Sequence, residues 1–95
     1  MERPEFAKHF MTSTQDDILD ELYFVTSFKE LQKTLELPEK TLCQELQKLL
    51  EQEFVKCFFP DPDTEITFSP ETFEQACGTD FYLATKKGLL AHNSR

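Results

Sequence analysis

Apolar residues recur at intervals of three and four in the middle of the chain, which predicts a pair of amphipathic helices. In the first helix Phe28, Leu31 and Leu35 fall on one face, as the 3.6-residue period of an α-helix requires. Ser27 precedes them and Glu30 follows Ser27 by three residues, the spacing of a capping box. The pattern therefore predicts a short helix that begins after Ser27.

Pro38 separates this helix from a second one. Proline disfavours the α conformation in the residue before it and lacks an N–H, so it ends one helix and is well suited to begin the next. After Glu39 the chain carries a four-residue apolar face of the kind that packs on a core, made of Leu42, Leu46, Leu49 and Leu50. Aromatic and β-branched residues that favour a strand follow, namely Phe54, Val55, Phe58 and Phe59.

The residues before this pair predict a leading helix over 14–24. Thr14 is the candidate N-cap, and the apolar face consists of Ile18, Leu19, Leu22 and Tyr23. Residues 24–26 favour a brief strand. Residues 1–13 are expected to form an N-terminal arm or helix, because Phe6 and Phe10 lie one helical turn apart.

Residues 60–80 are far longer than a hairpin tip, whose usual length is about 2–5 residues, and they form an acidic insertion. Residues 60–63 predict a turn, residues 66–68 a strand, and Ser69 the cap of a short helix through Gln75 that ends near Gly78. The segment holds no Lys or Arg and six acids: Asp61, Asp63, Glu65, Glu71, Glu74 and Asp80.

The order of these elements resembles the winged helix-turn-helix superfamily, familiar from bacterial repressors of the multiple-antibiotic-resistance and arsenic-response types. The similarity covers residues 15–92, and residues 81–90 resemble the family's last strand followed by a T-x-K-G helix start. The residues that match in the helix pair are Ser27, Phe28, Glu30, Leu31, Leu35, Leu37, Pro38, Thr41, Leu42, Leu46, Leu49, Phe54 and Val55. The resemblance implies one α+β domain over 1–95, mainly helical, with a three-helix core, a small β-sheet and a long modified wing.

Composition bounds the setting of this domain. A chain of 95 residues with 39% hydrophobic and 13% aromatic content is long enough for one core. It has no long apolar run, and Met1 to Pro4 lack the apolar stretch of a signal peptide, so no membrane contact is expected. Three cysteines without a C-x-x-C pair leave one unpaired under any disulfide scheme, which favours a reducing compartment and a cytoplasmic protein.

The formal net charge of -8 conflicts with the DNA binding that the resemblance implies, since duplex binding normally needs a basic patch. Members of the superfamily that this chain resembles commonly carry Ser-Arg where it has Cys43 and Gln44, so the commonest base-reading side chain is missing. The acidic insertion adds repulsion within a Debye length of about 8 Å. The candidates for nucleic-acid or partner binding on the outward face of residues 39–52 are Lys40, Thr41, Gln44, Gln47 and Lys48.

Three functions remain open. The first is a non-enzymatic regulatory module that acts mainly through protein contact, with weak or partner-assisted DNA contact. The second is a conventional DNA-binding transcriptional regulator that reads the major groove with residues 39–52. The third is a thiol-based redox sensor centred on Cys43. A homodimer and an unidentified protein partner are expected, with interface candidates Phe6, Phe10, Phe68 and Phe73.

Catalysis is not expected. His9 and His92 have no ligand at metal-binding spacing, two glycines cannot build a phosphate-binding loop, and the carboxylates follow surface spacing. We expect no enzyme, no metal and no cofactor.

Overall fold

Five helices and four short strands lie within residues 11–93, the part of the chain that the computed structural model describes. The helices in this part are α1 (Ser13–Glu21), α2 (Phe28–Leu35), α3 (Glu39–Glu51), α4 (Pro70–Ala76) and α5 (Lys86–Asn93). The strands are β1 (Thr26–Ser27), β2 (Val55–Phe58), β3 (Glu65–Ile66) and β4 (Phe81–Ala84). The expected α+β class, with more helix than strand and a small sheet, is confirmed.

The helix pair α2 and α3 forms where the apolar pattern predicts it. The Ser27 hydroxyl accepts a hydrogen bond from the Glu30 N–H at 3.2 Å and caps α2. Glu36 closes that helix in the left-handed conformation with φ 55°, and Pro38 is the N-cap of α3. The expected α3 face is confirmed, because all four of its leucines are buried.

The leading helix α1 begins two residues earlier than the pattern predicts. Thr12, not Thr14, is the N-cap, and it forms a complete capping box with Gln15. The helix ends at Glu21, so Tyr23 is not on its buried face and remains 45% exposed. Three predicted core residues are fully buried: Ile18, Leu19 and Leu22.

The four strands form one antiparallel sheet in the order β1-β4-β2-β3. Tyr82 of β4 lies between Thr26 of β1 and Cys57 of β2, and Cys57 also pairs with Ile66 of β3. The strand expected over 24–26 lies at Thr26–Ser27. The strand and helix predicted within 60–80 are both present, although β3 lies one residue earlier than expected and Gly78 has no positive φ.

The start of the last helix, α5, packs against Glu53 and Phe54, the residues that precede β2. The Thr85 hydroxyl donates to the Glu53 carbonyl at 2.7 Å and accepts from the Gly88 N–H at 2.9 Å. Gly88 is so close to Phe54 that a Cβ at this position would lie 2.8 Å from the Phe54 carbonyl carbon. Within residues 11–93, no helix combines the length and the apolar character needed to cross a membrane.

Candidate functional site

The five polar candidates of α3 share the outward face of that helix, which we call the α3 surface. The face follows from helical spacing, because the inward positions are taken by the four buried leucines. Lys40, Gln44 and Lys48 are exposed, and Thr41 and Gln47 are half-buried. The structure therefore brings these candidates together as one strip.

The α3 surface is electrostatically mixed. Lys48 Nζ lies 3.6 Å from Glu45 Oε2, and the Gln47 amide donates to Glu51 Oε2 at 3.2 Å. Since Lys48 is exposed, the first of these pairs is worth less than about 1 kcal/mol. The hydrogen bond from Gln47 to Glu51 nevertheless occupies the amide group that would have to bond to an adenine edge. Carboxylates therefore compete with any polyanion for the polar groups of this surface.

The acidic insertion folds back onto the α3 surface. Its helix α4 is followed by Cys77, which forms a disulfide with Cys43 of α3, and the two Cα atoms are 6.0 Å apart, within the usual range for a disulfide. A cavity of about 630 Å³ lies beside this bond and is lined by Glu39, Lys40, Cys43, Gln44, Gln47, Phe73 and Glu74. The sequence had indicated that one of three cysteines stays unpaired, and this residue is Cys57.

The aromatic residues of the insertion serve the core. Phe73 is 3% exposed, and its ring meets those of Phe68 and Tyr82 edge to face at centroid distances of 5.5 and 6.3 Å. The expected partner contact at Phe73 thus gives way to a role in anchoring α4, while Phe68 is half-buried against it. The other two interface candidates, Phe6 and Phe10, lie outside the described residues.

A buried ionisable cluster lies behind α4, where the sequence had predicted only surface charge. Asp80 is 2% exposed, and burial raises the pKa of its carboxyl from 3.8 to about 6. Burial, followed by the negative charges of Asp80 and Glu65, raises the pKa of the Cys57 thiol to about 11. The pKa of Tyr82 is raised chiefly by burial, and its hydroxyl donates to the Cys77 carbonyl at 2.7 Å. Cys57 is therefore a protonated, unreactive thiol at neutral pH.

The alternation of β4 was the signal that could have identified Asp80. Tyr82 and Ala84 are buried, whereas Phe81 and Leu83 are half-buried. Side chains alternate between the two faces of a strand, so Asp80 continues the inward series 80, 82, 84.

His92 is a second site that spacing alone did not reveal. Its Nδ1 lies 3.1 Å from Asp16 Oδ1 and its Nε2 lies 3.3 Å from Asp20 Oδ1. The two carboxylates are four residues apart on α1 and so share one face. His92 thereby ties α5 to α1. Among residues 11–93, no group of three or more His, Cys, Asp or Glu side chains is arranged to hold a metal ion.

Exposed apolar side chains occur in the segment between α1 and β1. Tyr23, Phe24 and Val25 are consecutive, and Phe24 is 81% exposed. The Asn93 amide donates to the Tyr23 hydroxyl at 3.1 Å, which brings α5, with its exposed Leu90, next to this segment. We call these four residues the apolar patch.

Comparisons with protein-family models, with curated proteins and with solved structures gave no match for this chain.

Proposed function

We propose that this chain is a non-enzymatic winged-helix regulatory module of the cytoplasm that acts mainly through protein contact, with weak or partner-assisted DNA contact. The order of its elements supports the winged-helix assignment. The leading helix α1, the brief strand β1 and the helix pair α2 and α3 come first in the chain. Strands β2 and β4 follow and pair with each other, and β1 lies beside β4. The insertion between β2 and β4 is the modified wing.

The position of α4 against α3 is the observation that carries this proposal. A winged-helix protein that reads DNA needs its second paired helix to approach phosphates, and Lys or Arg side chains supply most of that affinity. Here Glu74 lines the same cavity as Lys40 and Gln44. Three further carboxylates belong to α3 itself: Glu39, Glu45 and Glu51. This local charge disfavours a duplex and favours a basic or neutral protein surface.

The apolar patch supports the protein contact and the proposed homodimer. Contiguous exposed apolar residues on a soluble domain commonly mark an interaction surface, and aromatic residues are enriched in such interfaces. Phe24 contributes the largest exposed fraction of the four.

A salt titration of duplex DNA binding tests the balance between protein and DNA contact. Binding that is weak at low salt and lost by physiological ionic strength is the expected result, because few phosphates are neutralised. Nanomolar binding with a steep dependence on salt concentration would instead favour a conventional regulator.

The second candidate function is that conventional DNA-binding regulator. It is favoured by one observation, the exposure of Lys40, Gln44 and Lys48 on a single helix face. Gln44→Ala separates the two functions, since a base-reading glutamine contributes about 1–3 kcal/mol of discrimination at its base pair. Our proposal expects no change in sequence preference in this variant. Lys29→Gln, on α2 and also exposed, is the matched surface control.

A further inference from the structure

The disulfide is the one link of its kind between the acidic helix and the α3 surface. Within residues 11–93, no hydrogen bond and no ion pair joins α3 to α4. Apart from the bond between Cys43 and Cys77, the two helices meet only through van der Waals contact. Cutting that bond therefore removes the covalent link between them.

Helix α4 also has an attachment to the sheet. Phe73 is buried against Tyr82, and the Tyr82 hydroxyl holds the Cys77 carbonyl at 2.7 Å. These contacts do not depend on the sulfur atoms. Reduction should therefore loosen the α3-facing side of the helix without detaching the whole insertion.

We propose that Cys43 and Cys77 form a redox clip that controls access to the α3 surface. In the oxidised state the clip holds α4 and Glu74 beside Lys40. In the reduced state α4 moves away from α3 on its Phe73 anchor and uncovers that surface. This inference rests on the proposed function only in taking the α3 surface as a binding surface.

The two sulfur atoms differ in their exposure, and this determines which of them a reductant attacks first. Cys43 lines the cavity, whereas Cys77 is 1% exposed. A thiolate of a dithiol reductant attacks the Cys43 sulfur, and Cys77 leaves as a thiolate that takes up a proton. The second thiol of the reductant then displaces Cys43, which also becomes a thiol, and the reductant ends as a disulfide. Oxidation by hydrogen peroxide reverses the change: one thiol is oxidised to a sulfenic acid with release of water, and the other thiol displaces that hydroxyl as a second water, which restores the disulfide.

The proposed cytoplasmic setting favours a regulatory bond over a purely structural one. Disulfides in reducing compartments are usually transient, catalytic or redox-sensing. The helix that the clip holds carries Glu71 and Glu74 and no basic residue. Moving Glu74 away from α3 should strengthen binding to a duplex, because it lines the same cavity as Lys40 and Gln44 and a negative charge within a Debye length repels phosphate. We expect about two- to tenfold tighter binding in the reduced state, as exposed charge interactions are individually small.

Hydrogen–deuterium exchange tests the clip directly. The full chain is compared in peroxide-oxidised form and after reduction by a dithiol, and exchange is measured along the sequence. We expect faster exchange in residues 70–79 and 39–44 on reduction, and unchanged exchange in α1 and β2. Cys43→Ser should behave as the reduced protein under both conditions. Cys57→Ala, which keeps both clip cysteines, should respond as the unaltered chain does.

Two results would overturn the clip. One is equal exchange in the oxidised and reduced protein, and the other is a rise on reduction that spreads equally to α1 and β2, because the bond would then support the whole fold. Binding to a short mixed-sequence duplex is measured on the same samples. Faster local exchange without duplex binding in either state supports the clip and counts against DNA contact, so the two proposals fail separately.

Discussion

Replacing Asp80 by asparagine should stabilise this protein at neutral pH. Asp80, immediately before β4, is 2% exposed, and none of the hydrogen bonds and ion pairs within residues 11–93 involves its carboxylate. A buried carboxylate without a partner is costly to ionise, which is why its pKa is raised from 3.8 to about 6. Asparagine has nearly the same shape and carries no charge.

The sign of the pH dependence follows from that raised pKa. Below pH 3.8 the carboxyl is protonated in the folded and unfolded states, so it costs nothing. Between 3.8 and about 6 the unfolded state ionises first, and the folded state loses stability as the pH rises. Above that window the penalty is constant. At about 1.4 kcal/mol per pH unit the gap corresponds to at most about 3 kcal/mol, and partial access of water reduces this to about 2 kcal/mol.

Urea denaturation of the original chain and of Asp80→Asn, at intervals from pH 4 to 8, measures this penalty. The difference in unfolding free energy between the two proteins cancels the titration of the other acids. We expect the variant to be more stable by about 2 kcal/mol at pH 8, with the difference closing toward pH 4. Asp63→Asn, at an exposed turn position, should show no such trend. A difference that is independent of pH, or a variant less stable at pH 8, would refute the assignment of Asp80 as a buried unpaired acid.

Three further predictions concern packing and association. Gly88→Ala should lower the unfolding free energy by at least about 2 kcal/mol, because its new methyl group would collide with the Phe54 backbone. Gly78→Ala should be tolerated in the same thermal melts, since the nearest atom to its new methyl group is Glu39 Oε2 at 3.5 Å. His92→Leu should cost about 1–3 kcal/mol in urea denaturation, since two carboxylates of α1 lose their contact with the imidazole, and full stability in this variant would contradict the link between α5 and α1. Phe24→Ser should shift a micromolar sample toward the monomer in sedimentation experiments. An unaffected dimer would exclude the apolar patch as its interface.

The helices that local signals specify were predictable from the sequence. The α3 leucines repeat at helical spacing, and Pro38 and Ser27 act on neighbouring backbone whatever the rest of the chain does. The short helix α4 follows from Ser69 and Pro70 for the same reason. These elements therefore fell within one or two residues of their predicted bounds.

The start of α1 shows where local signals become ambiguous. Thr12, Ser13 and Thr14 are all acceptable N-caps, and the sequence alone favours none of them decisively. Gln15 settles the choice in the folded chain, because its amide donates to Glu45 of α3 at 2.9 Å while its carbonyl completes the capping box with Thr12. A contact across 30 residues thus selects the register of a local motif.

The disulfide was beyond sequence reasoning for a related cause. Three cysteines allow three different pairings, and spacing does not choose among them. The pairing of Cys43 with Cys77 depends on where α4 docks, and that depends on Phe73 entering the core beside Tyr82. Phe73 was expected at an interface. An acidic, loop-rich insertion gives little indication of which of its aromatic residues enters the core.

The folded insertion places negative charge next to the α3 surface, which the net charge of the chain does not reveal. A value of -8 describes the whole chain, and a local basic patch would override it for DNA binding. The structure removes much of that freedom, because Glu74 shares a cavity with Lys40 and Gln44, and Lys48 and Gln47 are engaged by carboxylates of α3 itself. The repulsion of phosphate is thus concentrated where a winged-helix protein would read DNA. Of the groups that cause this repulsion, the α3 carboxylates are fixed on their own helix. In the proposed clip, the position of Glu74 relative to α3 depends on the bond between Cys43 and Cys77. The redox state therefore modulates DNA contact without making it strong.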